Sequence, residues 1–254
     1  MSDLVPFRAG NYRFLPGGFQ YSAAVMADPG YRIERVRFRQ LVPLPEAFSR
    51  IKKHLESLGR PVTSLCACEL RSPAPMSEPD FIAFNRAYVV PLAEWKIFKN
   101  DINPVARCNL IPAVNPPSQP TFYSFSYTVP DETSGNPDFI SSGAAECPDR
   151  PNYREAIVRR GETSPDALGD KLRFALSDLE SRLHRMGLTW ACVMNTRLYC
   201  VHDLHHLMES ELVRRGAMSG GLGWQWVRPP VVDLEIEIDA SSVSSEIMLD
   251  AQTH

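Results

Sequence analysis

The feature that most constrains the fold of this chain is an internal repeat. An amphipathic stretch that ends in glycine and leads into an apolar strand occurs at residues 51–70 and again at residues 179–198. The two glycines, Gly59 and Gly187, are 128 positions apart, and the same offset relates the two strands. Since this offset is about the length of one small domain, the sequence predicts a duplicated unit. The 254 residues are enough for two hydrophobic cores of about 125 residues each.

The predicted elements follow the same order in both copies. In the first copy, the turn at residues 28–30 is expected to join two strands, and Gly59 is expected to end the helix that follows them. Further strands are predicted at 65–70, around Arg107 and at 122–129, and a second helix is predicted to begin after Ser77. In the second copy, strands are predicted at 139–143, 192–201 and 231–238, and helices at 167–186 and 204–215.

Two such β-β-α-β-α-β units, each with its helices on one side of a sheet, give an α+β fold. The proline-rich segment at residues 115–120 is the best candidate for a boundary. We therefore predict an N-terminal domain at residues 1–118 and a C-terminal domain at residues 119–254. The two domains are expected to pack as a pseudo-dimer.

Composition argues against several classes of function. The formal net charge is -3 and the basic residues are scattered, so no electrostatic footprint for nucleic acid is visible. No apolar run approaches about 18 residues and no signal-peptide pattern opens the chain, so we expect a cytoplasmic protein with no membrane partner. The six cysteines are expected to be free thiols, and the histidines at positions 202, 205 and 206 to be capping or surface residues rather than metal ligands.

Four short motifs, taken in order, resemble those of the Rid/YjgF family of enamine and imine deaminases. They are the helical Asn85-Arg-Ala-Tyr88, the strand Val105-Ala-Arg107, the turn Ser142-Gly143 and the strand Glu235-Ile-Glu237. Each motif alone is also typical of a solvated surface or an ordinary turn, and only the set in this order carries the resemblance. The likeness covers nearly the whole chain, once per half, and implies two Rid-like domains of the chorismate-mutase-like fold.

The motifs are divided between the halves. The first half has the asparagine and the arginine, whereas the second has the Ser-Gly turn and the acids. Glu211 stands near where the second asparagine would fall, and Gly220 and Gly221 near where the second arginine would fall. Because the family builds its site between neighbouring domains, the resemblance implies one working composite site. Cys108 and Asn109 stand where the family often has a small residue and a cysteine, and Trp224, Trp226 and Arg228 have no counterpart in the family.

The resemblance assigns a role to each of these residues. Arg107 would bind the substrate carboxylate through two parallel hydrogen bonds. Glu235 would be the general base, since a carboxylate on a partly buried strand can have its pKa raised toward neutrality. The remaining candidates for substrate contacts are Asn85, Ser142, Gly143, Cys108, Asn109 and, for a second carboxylate, Arg228. A nucleophilic role for Cys108 is disfavoured because no activating histidine is visible.

The expected activity is hydrolysis of a carboxylated enamine or imine to the 2-oxo acid and ammonia, without metal or organic cofactor. The candidate substrates are 2-aminoacrylate and an aminomuconate, and the added tryptophans favour the larger, conjugated dicarboxylate. Two alternatives stay open: a chorismatase-like hydrolase of a cyclic dicarboxylate enol ether, and a non-catalytic metabolite-binding protein. The family's threefold packing implies a homotrimer of tandems, with the site formed either within one chain or between chains.

Overall fold

The computed structural model describes residues 3–132 and 135–249. Three α-helices are present: α1 (Leu44–Ser57), α2 (Glu78–Glu94) and α3 (Pro165–Arg185). The strands are β1 (Val5–Phe7), β2 (Tyr12–Leu15), β3 (Ala24–Ala27), β4 (Tyr31–Pro43), β5 (Leu65–Arg71), β6 (Ala106–Pro112), β7 (Thr121–Pro130), β8 (Phe139–Ser141), β9 (Ala144–Ala145), β10 (Asn195–Tyr199), β11 (Leu222–Gln225), β12 (Val227–Arg228), β13 (Glu237–Ser242) and β14 (Ser245–Leu249). Among the described residues, no helix is long and apolar enough to cross a membrane.

The strands form two mixed sheets that follow the same plan. The six-stranded sheet has the order β12-β6-β5-β7-β4-β14, and the eight-stranded sheet has the order β1-β2-β3-β8-β13-β10-β11, with β9 beside β13. Inside them, β6-β5-β7-β4 corresponds to β11-β10-β13-β8, with one parallel pair at the same place in each. The two tandem Rid-like domains predicted from the repeat are thus present, in an α+β fold.

The sheets exchange strands between the halves of the chain. The N-terminal hairpin of β2 and β3 pairs with β8 in the eight-stranded sheet, and the C-terminal β14 pairs with β4 in the six-stranded sheet. The two strands predicted on either side of the turn at residues 28–30 are present as β3 and β4, but they lie in different sheets and do not pair with each other. Since β7 follows residue 118 but belongs to the six-stranded sheet, the sheets do not divide at one position in the chain. The boundary at residues 118 and 119 stays a prediction.

Helices cover one face of each sheet and bury the apolar stripes predicted from the sequence. On α1, Phe48, Ile51 and Leu55 are buried against the six-stranded sheet, and each such side chain contributes roughly 1.5–3 kcal/mol to the free energy of unfolding. The helix ends before Gly59, whose φ of 65° suits the left-handed region. The predicted helix at 204–215 is irregular, with a 3-10 turn at His205–Leu207 followed by a π-helical segment at Met208–Val213. All six cysteines are free thiols, as predicted.

A buried ion-pair network joins the faces of the two sheets that carry no helices. Glu69 of β5 and Arg197 of β10, which the 128-residue offset makes equivalent positions, form an ion pair at 2.7 Å. Arg197 also pairs with Asp239 of β13 at 2.7 Å, and Arg35 of β4 lies 3.4 Å from Glu69. Because equivalent residues of the two copies contact each other here, the halves pack around a pseudo-twofold relation.

Candidate active site

A cavity of about 360 Å³ lies between the two halves of the chain. The first half contributes Asn85 of α2 and Arg107 and Asn109 of β6 to its walls. The second half contributes Gly143, which follows β8, and Glu237, the first residue of β13. Residues that the sequence assigned to complementary halves thus line one cavity within a single chain.

Arg107 lies at the buried end of this cavity and is 4% exposed. Its Nη1 donates a hydrogen bond of 2.6 Å to Oδ1 of Asn85. The rings of Tyr88, Tyr21 and Phe81 surround the guanidinium, with centroids 4.9, 5.5 and 5.6 Å from its central carbon. Burial lowers the pKa of Arg107 from its ordinary value.

The guanidinium of Arg107 has no acidic partner in the part of the chain that the structure describes, since no carboxylate lies within 4.0 Å of it. A buried charge is costly unless it is paired and hydrogen-bonded. A cation held without a counter-ion at the wall of a cavity is therefore prepared for an anionic ligand. The forked donors of arginine suit a carboxylate.

Glu237 is the acid that the structure brings to the cavity. Its Oε1 accepts a hydrogen bond of 3.1 Å from the thiol of Cys108. Burial raises the pKa of Glu237 to about 7, with a contribution from Asp239, against the opposing effects of the Cys108 hydrogen bond and the charges of Arg107 and Arg182. A carboxyl group with a pKa near 7 can both accept and donate a proton at neutral pH.

Gly143 and Ser142 have different roles. A Cβ at position 143 would overlap the carboxylate of Glu237, so glycine permits the close approach of the two segments. Ser142 is buried beside the cavity: its hydroxyl accepts the backbone N–H of Arg107 at 2.9 Å and donates to the carbonyl of Ser22 at 2.6 Å. Ser142 therefore fixes β6 against the second half, whereas Gly143 lies at the cavity wall.

Asn109 and Cys108 lie on opposite faces of β6. Asn109 lines the cavity; its Oδ1 accepts a hydrogen bond of 3.0 Å from Ser72, and its buried Nδ2 has no partner within residues 3–132 and 135–249. This amide is a buried donor that the protein leaves without a partner. Cys108 packs with the apolar residues between the sheets and reaches the site only through Glu237. Burial, together with the charge of Glu237, raises the pKa of the Cys108 thiol, which agrees with the absence of a nucleophilic role.

The structure does not bring Glu235 and Arg228 to the cavity. Oε2 of Glu235 accepts a hydrogen bond of 2.9 Å from Arg228 and lies 2.7 Å from Nε2 of His202. The predicted strand at 231–238 begins only at Glu237, and Asp233 before it has a φ of 74°. The alternation of side chains along that predicted strand places Asp233, Glu235 and Glu237 on one face. Since the period of two holds only within a strand, this prediction is wrong. The geometry favours Glu237 over Glu235 as the acid of the site.

The tryptophans and histidines named from the sequence also lie outside the cavity lining. The indole N–H groups of Trp224 and Trp226 donate to the carbonyls of Cys200 and Val201. Asp203 accepts the backbone N–H of His205, as expected of a residue at a helix start. In the described ranges, no group of three or more His, Cys, Asp or Glu side chains is arranged to hold a metal ion.

The sequence interpretation missed two features of the site. Arg182 of α3 lines the cavity, with Nη1 donating to the carbonyl of Ser142 at 2.8 Å and Nη2 to Asp178 at 2.6 Å. The second feature is the connection between β8 and α3, of which residues 147–151 form one wall. Its length was a visible signal, because the first copy passes from its strand to its helix within a few residues.

A buried ion pair supports the segment that carries Glu237. Lys171 of α3 and Glu146 are both fully buried and lie 3.2 Å apart. The carboxylate of Glu146 accepts the backbone N–H groups of Glu235 and Ile236 at 2.6 and 3.1 Å. This pair fixes the backbone immediately before Glu237, which limits the freedom of the acid in the site.

Comparisons with known proteins show the family of the chain. Residues 4–247 match the model of the family described as 2-aminomuconate deaminase CnbZ. The chain is 45% identical over 251 residues to a 2-amino-5-chloromuconate deaminase from Comamonas testosteroni, an alignment that covers 98% of this chain and all of that protein. A chorismatase crystal structure aligns with 87% of this chain and 77% of its own, with a TM-score of 0.53 and 12% identity, which shows the fold alone. The YjgF protein of E. coli aligns with 44% of this chain and 84% of its own at 20% identity, with a TM-score of 0.32. The chain belongs to the 2-aminomuconate deaminase CnbZ family.

Proposed function

We propose that this protein is a hydrolytic deaminase that converts a 2-aminomuconate-type enamine acid to the 2-oxo acid and ammonia. The observation that carries the proposal is the pairing of two groups in one cavity: the buried guanidinium of Arg107, which has no acidic partner among the described residues, and Glu237, whose pKa is raised to about 7. One group suits a carboxylate and the other suits proton transfer. Family membership supports the same reaction.

Substrate binding is proposed to begin at Arg107. Its two parallel N–H donors would hold the carboxylate next to the carbon that carries nitrogen, while Asn85 keeps the guanidinium in place through its bond to Nη1. Asn109, which also lines the cavity, would contact the same carboxylate or the nitrogen. Fixing the carboxylate fixes the plane of the adjacent C=N group, which positions its carbon for attack.

Glu237 is proposed to transfer the protons. The enamine first tautomerises to the imine, with a proton moving from nitrogen to carbon. Ionised Glu237 then accepts a proton from water as the water oxygen bonds to the imine carbon, and the resulting carboxylic acid donates that proton to the nitrogen. Glu237 next accepts the proton of the new hydroxyl group and donates it to the nitrogen; the C–N bond then breaks, ammonia leaves, and the tetrahedral carbon becomes the carbonyl of the 2-oxo acid. In this scheme Glu237 takes the role that the sequence assigned to Glu235.

The state of assembly is proposed from the resemblance alone, and the location from the sequence pattern alone. We propose a homotrimer of tandem chains that acts in the cytoplasm. The cavity already unites both halves of one chain, so the proposed chemistry does not require a residue from a second chain. Sedimentation velocity of the purified protein tests the trimer.

The function is tested by ammonia release from freshly generated 2-aminomuconate and 2-aminoacrylate. The chain offers a matched pair of variants, Glu237→Gln and Glu235→Gln, which differ by two positions in the sequence. We expect Glu237→Gln to lower kcat at least about 100-fold and Glu235→Gln to stay within about threefold of wild type, since only the first removes the general base.

The possible outcomes separate the hypotheses. Ammonia release that is lost only in Glu237→Gln supports the proposal, and equal loss in both variants contradicts the assignment of the base. Absence of ammonia from both substrates with the wild-type protein contradicts the deaminase itself. Pyruvate formed from chorismate without ammonia would instead indicate a chorismatase-like hydrolase, and binding without turnover would indicate a metabolite-binding protein.

A further inference from the structure

We propose that Arg150 is a specificity-determining residue that binds the distal carboxylate of a dicarboxylate substrate. The inference deepens the proposed function, since it concerns the end of the substrate opposite to the carboxylate held by Arg107. Arg150 replaces Arg228 in this role, because Arg228 pairs with Glu235 and does not line the cavity.

Arg150 lies in a connection that only the second half of the chain has. In the first half, β4 ends at Pro43 and α1 begins at Leu44. In the second half, β8 ends at Ser141 and α3 begins at Pro165. The first half is thus an internal reference for the unit without this connection. What the connection adds to the second half is a wall of the cavity, formed by residues 147–151.

The connection is tied to both halves at points beyond this wall. The backbone N–H of Asn152 donates to Oε1 of Glu78 at the start of α2 at 2.9 Å. Arg154 pairs with Asp233 at 2.8 Å, and Ile157 packs against Val231 and Leu234. Prolines at positions 148 and 151 fix their own φ angles on either side of the wall's charged residues. These contacts hold the backbone of the wall, so that a ligand that binds there orders the side chain of Arg150 but not the segment that carries it.

Arg150 is the cation of this wall, and its guanidinium has no hydrogen bond or ion pair with any side chain in residues 3–132 or 135–249. Arg182, which also lines the cavity, is instead engaged by three carbonyls and Asp178. The neighbouring Asp149 is an exposed acid on the same wall. A ligand with an anionic outer end therefore needs the charge of Arg150 to offset that of Asp149.

The two unpaired guanidinium groups lie at different depths of the same cavity. Arg107 is 4% exposed at the inner end, whereas Arg150 is exposed at the rim. A six-carbon dicarboxylate carries one acid at each end, and a volume of about 360 Å³ lies within the range of small-molecule sites. A three-carbon substrate with a single carboxylate would reach Arg107 but offers no anion to Arg150. The arrangement thus discriminates between the two substrate classes.

The test compares wild type with Arg150→Gln on two substrates and two ligands that do not react. We expect kcat/KM for 2-aminomuconate to fall about tenfold, because an exposed charge-assisted hydrogen bond is lost, and kcat/KM for 2-aminoacrylate to change less than about twofold. Calorimetry with muconate and sorbate, which share a six-carbon diene but carry two and one carboxylates, should show about tenfold weaker binding of muconate only. Arg160→Gln is the control, since Arg160 is exposed on the same connection but does not line the cavity.

A loss confined to the dicarboxylates supports the inference. Equal effects on both classes of ligand, no effect on either, or the same effect from Arg160→Gln would overturn it. Selective loss of muconate binding in a protein that releases no ammonia would leave this inference standing and contradict the proposed deaminase. Because Arg150 is exposed, the variant is expected to fold, and an unchanged Tm verifies this.

Discussion

The two halves of this chain share one strand order but differ in what they carry at equivalent positions. In the first half, Arg107 of β6 lies beside Cys68 of β5 in the strand register. In the second half, the corresponding position in β11 is Leu222, beside Thr196 of β10. The first half places Asn85 on a regular helix, whereas the second half has a π-helical segment in which Glu211 pairs with Arg173 at 2.9 Å. Both halves have the same fold, but only the first half has a cation, Arg107, at this position.

The converse holds for the acid. Glu237 opens β13 in the second half, and its counterpart at the start of β7 in the first half is Thr121. The long connection before α3 is also confined to the second half. A sheet core tolerates duplication because each copy buries its own apolar face, whereas a composite site needs only one complete set of polar groups. The fold and the polar groups of the site are therefore under separate constraints in this tandem protein.

The largest difference in activity is expected when the side chains at the two equivalent positions, Arg107 and Leu222, are removed. Arg107→Ala is expected to lower kcat/KM by a factor of more than about 100, since the substrate loses a charge-assisted bidentate contact in a buried site worth about 3 kcal/mol. Leu222→Ala is expected to leave kcat/KM within about threefold, because Leu222 packs against the apolar core of the eight-stranded sheet and does not line the cavity. Steady-state ammonia release measures both, and a large effect of Leu222→Ala on kcat/KM at unchanged Tm would contradict the asymmetry.

A second prediction concerns the contact between the halves. Burial alone would raise the pKa of Glu69, but the charges of Arg197, Arg35 and Arg71 lower it to about 2. Glu69→Gln leaves these arginines buried with less compensation, and we expect the free energy of unfolding at pH 7 to fall by about 3 kcal/mol. Urea unfolding followed by circular dichroism measures it. Glu46→Gln, at an exposed ion pair with Arg50, is the control and should leave the midpoint unchanged.

The same ion pair predicts a pH dependence. Because the pKa of Glu69 is depressed in the folded protein, its contribution is present above its ordinary value of 4.5 and is lost as pH falls toward about 2. The difference in stability between wild type and Glu69→Gln should therefore shrink over that window. A difference that stays constant down to pH 3 would show that the acid does not hold this network together.

The smallest expected effect tests the link between the halves at the site. The thiol of Cys108, in the first half, donates to Glu237, in the second, and so favours the ionised acid. Cys108→Ala should raise the pKa on the acidic limb of the kcat/KM profile by about 0.7 pH unit, the equivalent of one neutral hydrogen bond. Cys108→Ser keeps a donor and should leave the limb near its wild-type position. A shift of the same size in both variants would assign the effect to packing.

Much of the fold was predictable because it depends on local patterns. The apolar spacing at Phe48, Ile51 and Leu55 predicted α1, and the Ser77 cap predicted the start of α2, where its hydroxyl accepts the N–H of Asp80. What the local patterns did not predict is the pairing between strands that are distant in sequence. Nothing local tells β3 to pair with β8 rather than β4, because the turn at 28–30 is compatible with either partner.

The candidate site divides in the same way. Arg107, Asn85 and Gly143 could be grouped from the sequence, since the motifs that resemble the family are visible along the chain. That Glu237 rather than Glu235 faces the cavity is visible only in the structure, because the alternation of side chains depends on where β13 begins. The structure also shows that residues 147–151 form a wall of the cavity. This could not be predicted, because the position of the connection depends on contacts with both halves. Local periodicity specifies elements, but the depth and direction of a polar side chain depend on packing between segments far apart in the chain.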